Sequence, residues 1–560
     1  MLWLLVLTPA LAAAHEFRYL EPGSAFEYAA VIGPPAAEAF GAAGAAAYAR
    51  ARQLGAGLPG EEAGAPTVEP LDLAWHPHGR APFGAAMKGD ACDCATSVGE
   101  LDHERVVAVH VRTVFTVGDE AASLRVLHLR TRYLDGLSVF INGVEVVRDG
   151  MPAGASWTAP ALRIHGPEWQ TFHVPAWPGL LHTGENHILV EARGAATRAA
   201  PLLDLALTAS DVPGLARGPI LGRVSATGAA ITFVTDIPAR AEVRFVAGDV
   251  GSGRTVPSSA GGEAVRHLVT LGDLPPASVV RYHVVIEGAV GPELSFHTAP
   301  VLGAPVRFVV YGDSRSGHRA HAEILASVLA AAPDFVIHTG DLVLRGRDQG
   351  DWQRYFALAG DLLARIPVYP ALGNHDLGGP ALDDLFPLPA IGSWYGFDVG
   401  GVHVAVLDSA RVSDPAQATW LDADLAAARA RGATVLFAVA HQGAWSHGPH
   451  GGDDILRQRY VPILVAHGVA VLFSGHDHIY ERGQVGGLRY VVSGGGGAEL
   501  YEPRCGRHSR GCKKDGVAFA AGAHHFVLVE VSGTTVRMCA RRPDGRALEE
   551  CETFESPGAD

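Results

Sequence analysis

The pattern of apolar and polar positions changes twice along the chain. From residue 105 to 212, short segments alternate apolar and polar side chains, as in VVAVHVRTVFTV and LRVLHLRTRYLD. Alternation with a period of two is typical of strands that bury one face. The Asn-Gly pair in INGVEV predicts a tight hairpin turn. We therefore expect a β-sandwich over residues 105–212.

A second group of short strands covers residues 213–301. The segments AAITFVTD, AEVRFVAG and VVRYHVVIEG have the length and apolar content of strands. They are separated by turn residues at short intervals, which again favours a β-sandwich. Residues 213–301 are therefore expected to form a second all-β domain.

A different pattern begins at residue 302. Apolar runs of five to eight residues, such as VRFVVYG and FVIHTG, now alternate with longer stretches of helical periodicity. This alternation predicts an α/β domain, here over residues 302–555. The predicted fold class is therefore a multidomain chain in which N-terminal β-sandwich domains precede an α/β domain.

The first residues have the composition of a targeting segment. Residues 1–14 combine an apolar run with a final Ala-Ala-Ala, which predicts a signal peptide, although a core-packed or disordered N-terminus is the alternative. Residues 15–104 are rich in Ala, Gly and Pro and are expected to be partly joined to the next domain. No later segment is long and apolar enough to span a bilayer. We expect an exported protein, periplasmic or extracellular, with no membrane span.

The six cysteines form three close pairs, which agrees with export. Cys539 and Cys551 flank RRPDGRA, a hairpin signal, so a disulfide is expected between them. Cys505 and Cys512 are expected to close a surface loop. The pairing of Cys92 and Cys94 is left open. No CxxC pair supports a cysteine zinc site.

The charge balance excludes one class of partner. The formal net charge is −15 and no block of Lys or Arg occurs. A basic face that wraps nucleic acid, or that docks to an anionic membrane, is therefore not expected.

Asp, Asn and His residues, whose side chains can bind metal ions, follow five of the apolar runs in the α/β region. In open α/β sheets, ligands bind outside the carboxyl ends of the strands, so these side chains should converge. Oxygen and imidazole donors together suit Mn, Zn or Fe rather than Ca. The residues are Asp313, Asp341, Asn374, His375, Asp376, His441, His476 and His478.

The order and spacing of these motifs resemble the calcineurin-like metallophosphoesterases. Tyr480-Glu481-Arg482 after the last histidine, and a β-rich domain ahead, make the chain most similar to purple acid phosphatases. The resemblance implies a catalytic domain built as a four-layer β-sandwich flanked by helices. Residues 105–212 resemble galactose-binding-like jelly rolls, and residues 213–301 resemble fibronectin type III-like domains.

The resemblance also implies a binuclear centre of divalent or trivalent transition metal ions, Fe, Zn or Mn. Asp341 would bridge the two ions. Asp313 and His478 would hold the first ion, whereas the second would be held by Asn374, His441 and His476. Two such ions can clamp a phosphate and lower the pKa of a bridging water.

The implied activity is hydrolysis of phosphate esters by a metal-bridging hydroxide. A phosphomonoesterase acting on a phosphorylated small molecule is expected, with a phosphodiesterase or nucleotidase as the alternative. His375 and His450 would be catalytic, His450 being favoured over His447 by its spacing from His441. A non-enzymatic alternative is a carbohydrate-binding protein on a weak phosphatase scaffold, with the sugar on the N-terminal β-sandwich.

Two positions depart from the family pattern. Purple acid phosphatases have a tyrosine three residues after the bridging aspartate, where this chain has Leu344, so no purple colour is expected. Calcineurin-type members have a histidine two residues after the first aspartate, where this chain has Arg315. His318 or His321 could replace the missing ligand, although a capping or surface role fits them better. Arg315 is expected to bind substrate phosphate, the alternative being a surface salt bridge.

Gly494–Gly497 could suggest a phosphate cradle. Neither a lysine nor the start of a helix follows these four glycines. We therefore expect them to form a tight loop that lines the site.

Overall fold

The computed structural model describes most of the chain from residue 106 onward and short segments before it. The described residues are 16–22, 24–32, 76–81, 83–84, 96–97, 106–151, 161–162, 165–166, 168–194, 202–248, 253–389, 392–505 and 510–557. The predicted signal peptide, Cys92 and Cys94 lie outside them. The chain divides into two compact units, the first comprising residues 1–216 with Thr235–Ala239 and Asp348–Gly350.

The first unit is built from strands. They are β1 (Glu16–Leu20), β2 (Ala25–Ile32), β3 (His76–Arg80), β4 (Phe83–Gly84), β5 (Thr96–Ser97), β6 (Val106–Val117), β7 (Val126–Tyr133), β8 (Gly136–Ile141), β9 (Val144–Asp149), β10 (Trp169–Pro175), β11 (Gly184–Arg193) and β12 (Leu202–Ser210), with a 3₁₀ turn at Asp119–Ala122. One sheet has the order β10-β7-β12-β4-β5 with β1 beside β12, and the other has the order β3-β2-β6-β11-β8-β9.

The two sheets of the first unit share one apolar core. Val111 and Val190 from one sheet and Leu129 and Leu207 from the other belong to the same buried cluster. The predicted Asn-Gly hairpin is confirmed, because β8 and β9 pair directly and Asn142 and Gly143 have φ of 49° and 81°. The galactose-binding-like identity of this unit stays a prediction.

The strands between residues 215 and 297 form two small sheets. They are β13 (Leu215–Gly222), β14 (Ala229–Ala239), β15 (Ala241–Ala247), β16 (Arg254–Pro257), β17 (Ala264–Leu271), β18 (Val279–Ile286), β19 (Ala289–Val290) and β20 (Leu294–His297). One sheet has the order β13-β14-β17, and the other has the order β16-β15-β18-β19 with β20 beside β18. The fibronectin type III-like identity of this segment also stays a prediction.

The remaining strands form two larger mixed sheets. They are β21 (Val306–Tyr311), β22 (Phe335–His338), β23 (Val368–Pro370), β24 (Tyr395–Val399), β25 (Val402–Leu407), β26 (Val435–Ala440), β27 (Val469–Ser474), β28 (Tyr480–Val485), β29 (Leu488–Ser493), β30 (Val517–Ala521), β31 (Phe526–Ser532), β32 (Thr535–Arg541) and β33 (Glu552–Glu555). Their orders are β23-β22-β21-β31-β32-β33 and β24-β25-β26-β27-β29-β28-β30.

Each of these sheets contains a group of parallel strands with continuous apolar sequence. β21, β22 and β23 are parallel in the first sheet, and β25, β26, β27 and β29 are parallel in the second. The rings of Phe308 and Phe437 make an edge contact between the sheets at 5.1 Å, and Phe473 lies beside them. The sheets therefore pack face to face, with their polar strand ends as the chemically distinct edge.

Helices connect the strands of this region. They are α1 (His318–Ala331), α2 (Gln349–Arg365), α3 (Leu382–Leu385), α4 (Pro415–Ala430), α5 (Val461–Ala466) and α6 (Arg510–Lys514), with a 3₁₀ turn at Ser409–Arg411 and a π turn at Leu456–Tyr460. Leu421 and Leu425 of α4 pack on the face of β25 that points away from the other sheet. Among the helices of the described segments, none combines the length and the apolar character that a membrane crossing needs.

The C-terminal hairpin is tied to the strand that follows the last histidine motif. Cys539 and Cys551 form a disulfide, as predicted, and so do Cys505 and Cys512. Glu549 accepts hydrogen bonds from the Tyr480 hydroxyl and from two nitrogens of Arg482, at 2.8 and 2.9 Å. Polar contacts therefore join the hairpin to β28.

Candidate metal centre

The six residues predicted as metal ligands come together at the carboxyl ends of the parallel strands. Asp313 follows β21, Asp341 follows β22, Asn374 follows β23, His441 follows β26, and His476 and His478 follow β27. The ligand atoms of Asp313, Asp341 and His441 lie within 4.8 Å of one another, and all three side chains are buried. The structure therefore brings three of the six side chains within ligand distance of one another, at the strand ends where ligands were expected to bind.

The backbone at three of these residues is unusual. Asp313, Asp341 and His476 have φ of 57°, 57° and 69°, a backbone region that residues other than glycine seldom adopt. Such conformations cluster at functional sites, where the surrounding structure compensates their strain. At Gly475, a Cβ would lie 2.3 Å from the Asp313 carboxylate, so only glycine permits this approach.

Three histidines are oriented by hydrogen bonds from their Nδ1 atoms to main-chain carbonyls. His441 donates to Thr339 at 2.9 Å, His478 to Glu499 at 2.6 Å and His375 to Leu344 at 2.8 Å. With the proton on Nδ1, the Nε2 atom carries a lone pair. This is how the outer partners of metal-binding histidines fix the tautomer.

Ligand atoms of Asp341, Asn374 and His441 approach one another within this cluster. The Nε2 atom of His441 lies 3.0 Å from the Asn374 carbonyl oxygen and 3.4 Å from the Asp341 Oδ1 atom. A cation between these atoms would be attracted by all three side chains, because each can present a lone pair to it. The donor set of oxygens and an imidazole nitrogen therefore fits a transition metal ion.

Burial sets the protonation of these groups. It lowers the pKa of His476 to about 3, and the neighbouring histidines act in the same direction. It also lowers the pKa of His478 to about 4, with the Arg315 charge acting in the same direction. Burial also lowers the pKa of His441. These imidazoles are therefore neutral at pH 7, the form that binds metals. Burial and the Asp341 charge raise the pKa of Asp313, a sign that the two carboxylates need a compensating positive charge.

The Arg315 guanidinium lies inside this cluster. Its Nε atom is 3.3 Å from Asp341 Oδ2, and its Nη2 atom is 3.2 Å from His478 Nε2. Arg315 therefore does form an ion pair, but its side chain is only 14% exposed, so the pair is not on the surface as the alternative expected. The expected binding of substrate phosphate stays a prediction. His321 does not replace the missing ligand, because its Nε2 atom faces the buried Tyr311 hydroxyl at 3.3 Å. His318, the other residue considered as a replacement for this ligand, is the first residue of α1.

The two predicted catalytic histidines border the cluster. The Nε2 atom of His375 is 4.0 Å from Asp341 Oδ2. His450 is exposed, and its ring centroid lies 4.4 Å from that of His476. His447 instead points to the fully buried Glu481, with its Nδ1 2.9 Å from the carboxylate, which raises the pKa of His447. This contact leaves His450 as the loop histidine beside the cluster.

Two carboxylates whose roles the sequence did not predict hold the loop that carries His450. Asp477 alternates with His476 and His478, points away from them, and accepts the main-chain N–H groups of His450 and Gly451 at 3.0 and 3.2 Å. Glu481 accepts the N–H of His447 at 2.9 Å. In the sequence, Asp477 and Glu481 could have been noticed because they lie inside the HDH and YER motifs.

Tyr501 is a further neighbour that sequence reasoning missed. Its ring stacks on His478 with centroids 4.2 Å apart, and it interacts with the Arg315 guanidinium. It follows the four glycines, whose predicted role as a tight lining loop is confirmed. At Gly494 and Gly496, a Cβ would lie 2.2 Å from main-chain atoms of Asp477 and Gly312.

The region that holds this cluster is similar to known proteins. Residues 306–480 match the family model of the calcineurin-like phosphoesterases. Purple acid phosphatases 18 and 22 of Arabidopsis thaliana are 30% and 29% identical over 239 and 242 residues, which is 39% of this chain in each case. The chain spans about half the length of these relatives, 52% and 53%.

Among solved structures, a purple acid phosphatase from yellow lupin (Lupinus luteus) seeds superposes with a TM-score of 0.56. The sequence identity is 16%, and the match covers 80% of this chain and 93% of the lupin chain. At this identity the likeness shows the fold alone. The chain is thus a mostly β multidomain protein with a C-terminal metallophosphoesterase fold. Its homologues and this domain support a phosphatase enzyme.

Proposed function

We propose that this chain is a metal-dependent phosphoesterase, and specifically a phosphomonoesterase. The observation that carries the proposal is the approach of Asn374 Oδ1 and Asp341 Oδ1 to His441 Nε2, at 3.0 and 3.4 Å. Such a set is suited to bind a cation. Residues 306–480 match the family model of the calcineurin-like phosphoesterases, and the two plant relatives are named as acid phosphatases. The residues proposed to line the centre are Asp313, Asp341, Asn374, His441, His476 and His478.

The donor set fits Fe, Zn or Mn, the metals that combine imidazole with carboxylate and amide oxygens. When bound, such an ion supplies a water of lowered pKa and positive charge for the phosphate. The family resemblance implies two ions with Asp341 between them. The two carboxylate oxygens of Asp341 do face different groups, with His441 near Oδ1 and Arg315 near Oδ2.

Substrate phosphate would be held by groups beside the ligand cluster. Arg315 carries a permanent positive charge and several N–H donors, a geometry that suits phosphate oxygens. His375 donates its Nδ1 proton to Leu344, so its Nε2 is free to accept a proton or a hydrogen bond near the reacting phosphate. These cations and donors offset the acidic character of the chain for an anionic substrate.

His450 is proposed to protonate the leaving group. As the phosphorus–oxygen bond breaks, the ester oxygen takes the bonding electron pair and needs a proton. The His450 ring is exposed beside His476, and Asp477 anchors its main chain, so an imidazolium there can deliver that proton. A fixed main chain limits the positions that the ring can adopt.

Export is part of the proposal. The Cys505–Cys512 and Cys539–Cys551 disulfides support an oxidising compartment, because such bonds seldom persist in the cytosol. Together with the predicted signal peptide, they favour a periplasmic or extracellular enzyme. N-terminal sequencing of the secreted form would test the predicted cleavage after residue 14.

The activity is tested with two nitrophenyl esters. The purified chain, loaded with Mn²⁺, Zn²⁺ or Fe, is assayed on 4-nitrophenyl phosphate and on bis(4-nitrophenyl) phosphate, with Asp341→Asn as the matched control. We expect metal-dependent hydrolysis that is faster on the monoester and lost in the variant. Faster turnover of the diester would reassign the chain as a phosphodiesterase. No hydrolysis of either ester by the metal-loaded protein would refute the proposal.

A further inference from the structure

The position that the family resemblance gives to a first metal ion already contains a cation. The Arg315 guanidinium lies between Asp341 Oδ2, at 3.3 Å, and His478 Nε2, at 3.2 Å. These two atoms belong to residues that would hold the first ion. The arginine replaces the histidine that calcineurin-type relatives have at this place. It therefore removes one ligand and adds a positive charge.

The contact with His478 is incompatible with a metal on the same atom. The Nδ1 proton of His478 is donated to Glu499, so the lone pair on Nε2 is directed at Arg315 Nη2. A metal bound to this lone pair would lie about 2.1 Å from Nε2. With Arg315 Nη2 at 3.2 Å from the same atom, the ion and the guanidinium would overlap. One of the two cations must therefore be absent or displaced.

Several contacts hold Arg315 in place. Its main-chain N–H lies 3.4 Å from the Asp341 carbonyl oxygen, and its carbonyl accepts the Gly317 N–H at 2.8 Å. Tyr501 stacks on His478 and interacts with the guanidinium, so it covers the position from one side. An arginine cannot lose its charge by deprotonation in a protein. A metal ion would have to displace a mostly buried side chain that already compensates the carboxylates.

The ligands predicted for the second metal ion differ from those of the first in their contact with Arg315. Asp341 Oδ1, Asn374 Oδ1 and His441 Nε2 face one another as acceptors, with no guanidinium nitrogen within hydrogen-bond reach in the described contacts. His476 lies beside them, with its ring centroid 5.1 Å from that of His441. In the described contacts, this set therefore remains available to bind a metal ion.

We propose that the Arg315 guanidinium takes the place of the first metal ion, so that the chain binds one transition metal ion through Asp341, Asn374, His441 and His476. The inference rests on the proposed metal centre but not on turnover. Asp313 then acts as a positioning residue, because its carboxylate accepts the His476 N–H at 3.0 and 3.1 Å. Arg315 presents a fixed positive charge to a bound phosphate monoester.

The test is the metal content of the full chain. Wild type, Arg315→His, Arg315→Lys and Asn374→Ala are loaded with Mn²⁺, desalted, and measured by elemental mass spectrometry. We expect about one ion per chain in wild type and in Arg315→Lys, which keeps the charge. Arg315→His supplies an imidazole and removes the charge, so its content should rise to about two. Asn374→Ala should fall well below one.

Electron paramagnetic resonance of the Mn²⁺-loaded protein gives an independent readout. Wild type should show the hyperfine pattern of isolated ions, and Arg315→His that of an exchange-coupled pair. Two ions per chain or a coupled pair in wild type would overturn the inference, because Arg315 would then move aside. A folded Arg315→His that still holds one ion would also overturn it. Metal content of one without phosphatase activity would refute the proposed function alone.

Discussion

The carboxylate of Asp376 accepts the main-chain N–H of Asp341 at 3.0 Å. It also accepts the N–H groups of Leu342, Val343 and Gly373, at 2.9, 3.2 and 2.9 Å, and is itself buried. One side chain thus fixes the loops that present Asp341 and Asn374.

The first prediction follows from this clamp. Asp376→Asn keeps the volume but supplies only one carbonyl oxygen, so part of the N–H cluster loses its acceptor. We expect metal affinity to fall about 10–100-fold, the usual effect of removing a group that orients ligands. Asp361→Asn on the exposed face of α2 is the control and should change little, because its ion pair with Arg365 is exposed to solvent. Unchanged metal affinity in Asp376→Asn would contradict the clamp.

The second prediction concerns His450. If it protonates the leaving group, His450→Ala should reduce kcat/KM on an alkyl phosphate by about 10²–10⁴-fold. The loss on 4-nitrophenyl phosphate should be slight, because nitrophenolate leaves without a proton. His375→Ala is the comparison and should affect both substrates alike. An equal loss of kcat/KM on both substrates in His450→Ala would show that His450 does not protonate the leaving group. A loss in His375→Ala that depends on the leaving group would assign this role to His375.

The third prediction tests the close approach at Gly475. A methyl group there would lie 2.3 Å from Asp313 Oδ2 and 2.6 Å from Thr339 Oγ1, both buried. Gly475→Ala should therefore lower the free energy of unfolding by about 1–3 kcal/mol, as overpacking does, and weaken metal binding. Gly360→Ala in α2 is the matched control.

A Cβ at Gly360 meets nothing within 4 Å. The substitution should raise stability by about 0.5–1 kcal/mol, because alanine favours the helix. Thermal or urea unfolding of the two variants separates the outcomes. A Gly475→Ala protein as stable as wild type would show that the site tolerates the methyl group.

The fourth prediction concerns pH and His403. This buried imidazole contacts Asp398 through Nδ1 at 2.7 Å and Asp424 through Nε2 at 2.9 Å. Burial alone would lower its pKa, but the two carboxylates outweigh burial and raise it above the usual value. A raised pKa in the folded state stabilises the fold below about pH 6.5, and this contribution is lost as pH rises through the folded-state pKa.

The difference in free energy of unfolding between wild type and His403→Gln should therefore shrink as pH rises above about 6.5. Urea titrations at a series of pH values measure it. A difference that stays constant across the neutral range would mean that His403 has the same pKa in the folded and unfolded states.

The fifth prediction concerns colour. Position 344 is leucine, so the iron-loaded protein should lack the visible absorption band of a phenolate bound to ferric iron. Tyr501 is the tyrosine whose ring stacks on His478. If a visible band is found, loss of that band in Tyr501→Phe would show that Tyr501 binds the metal, contrary to our expectation.

Much of the C-terminal organisation could be predicted from the sequence because its signals are local. Apolar runs fix the strands, and Asp, Asn and His directly after them mark one edge of the sheets. The Cys539–Cys551 disulfide followed from a turn signal between the two residues. Each of these inferences needs only neighbouring residues.

What escaped prediction depends on long-range pairing. Arg315 contacts His478, which is 163 residues away in the sequence, and Asp477 accepts a hydrogen bond from the main chain of His450, which is 27 residues away. No spacing rule indicates such partners, because they depend on which loops the two sheets place together. The buried ion pair of Arg315 with Asp341 was not predicted either, because the sequence indicated only a phosphate-binding role or a surface salt bridge for this arginine.

The contacts of the C-terminal hairpin around Glu549 determine where a truncated fragment of the chain can end. The family match ends at residue 480, but β31–β33 complete one sheet and β28–β30 complete the other. A fragment cut at that point would leave β21 without its neighbour β31, and Tyr480 without Glu549. We therefore expect that residues 306–480 do not fold on their own, and that a fragment of this domain must extend through Glu555 to keep both sheets whole.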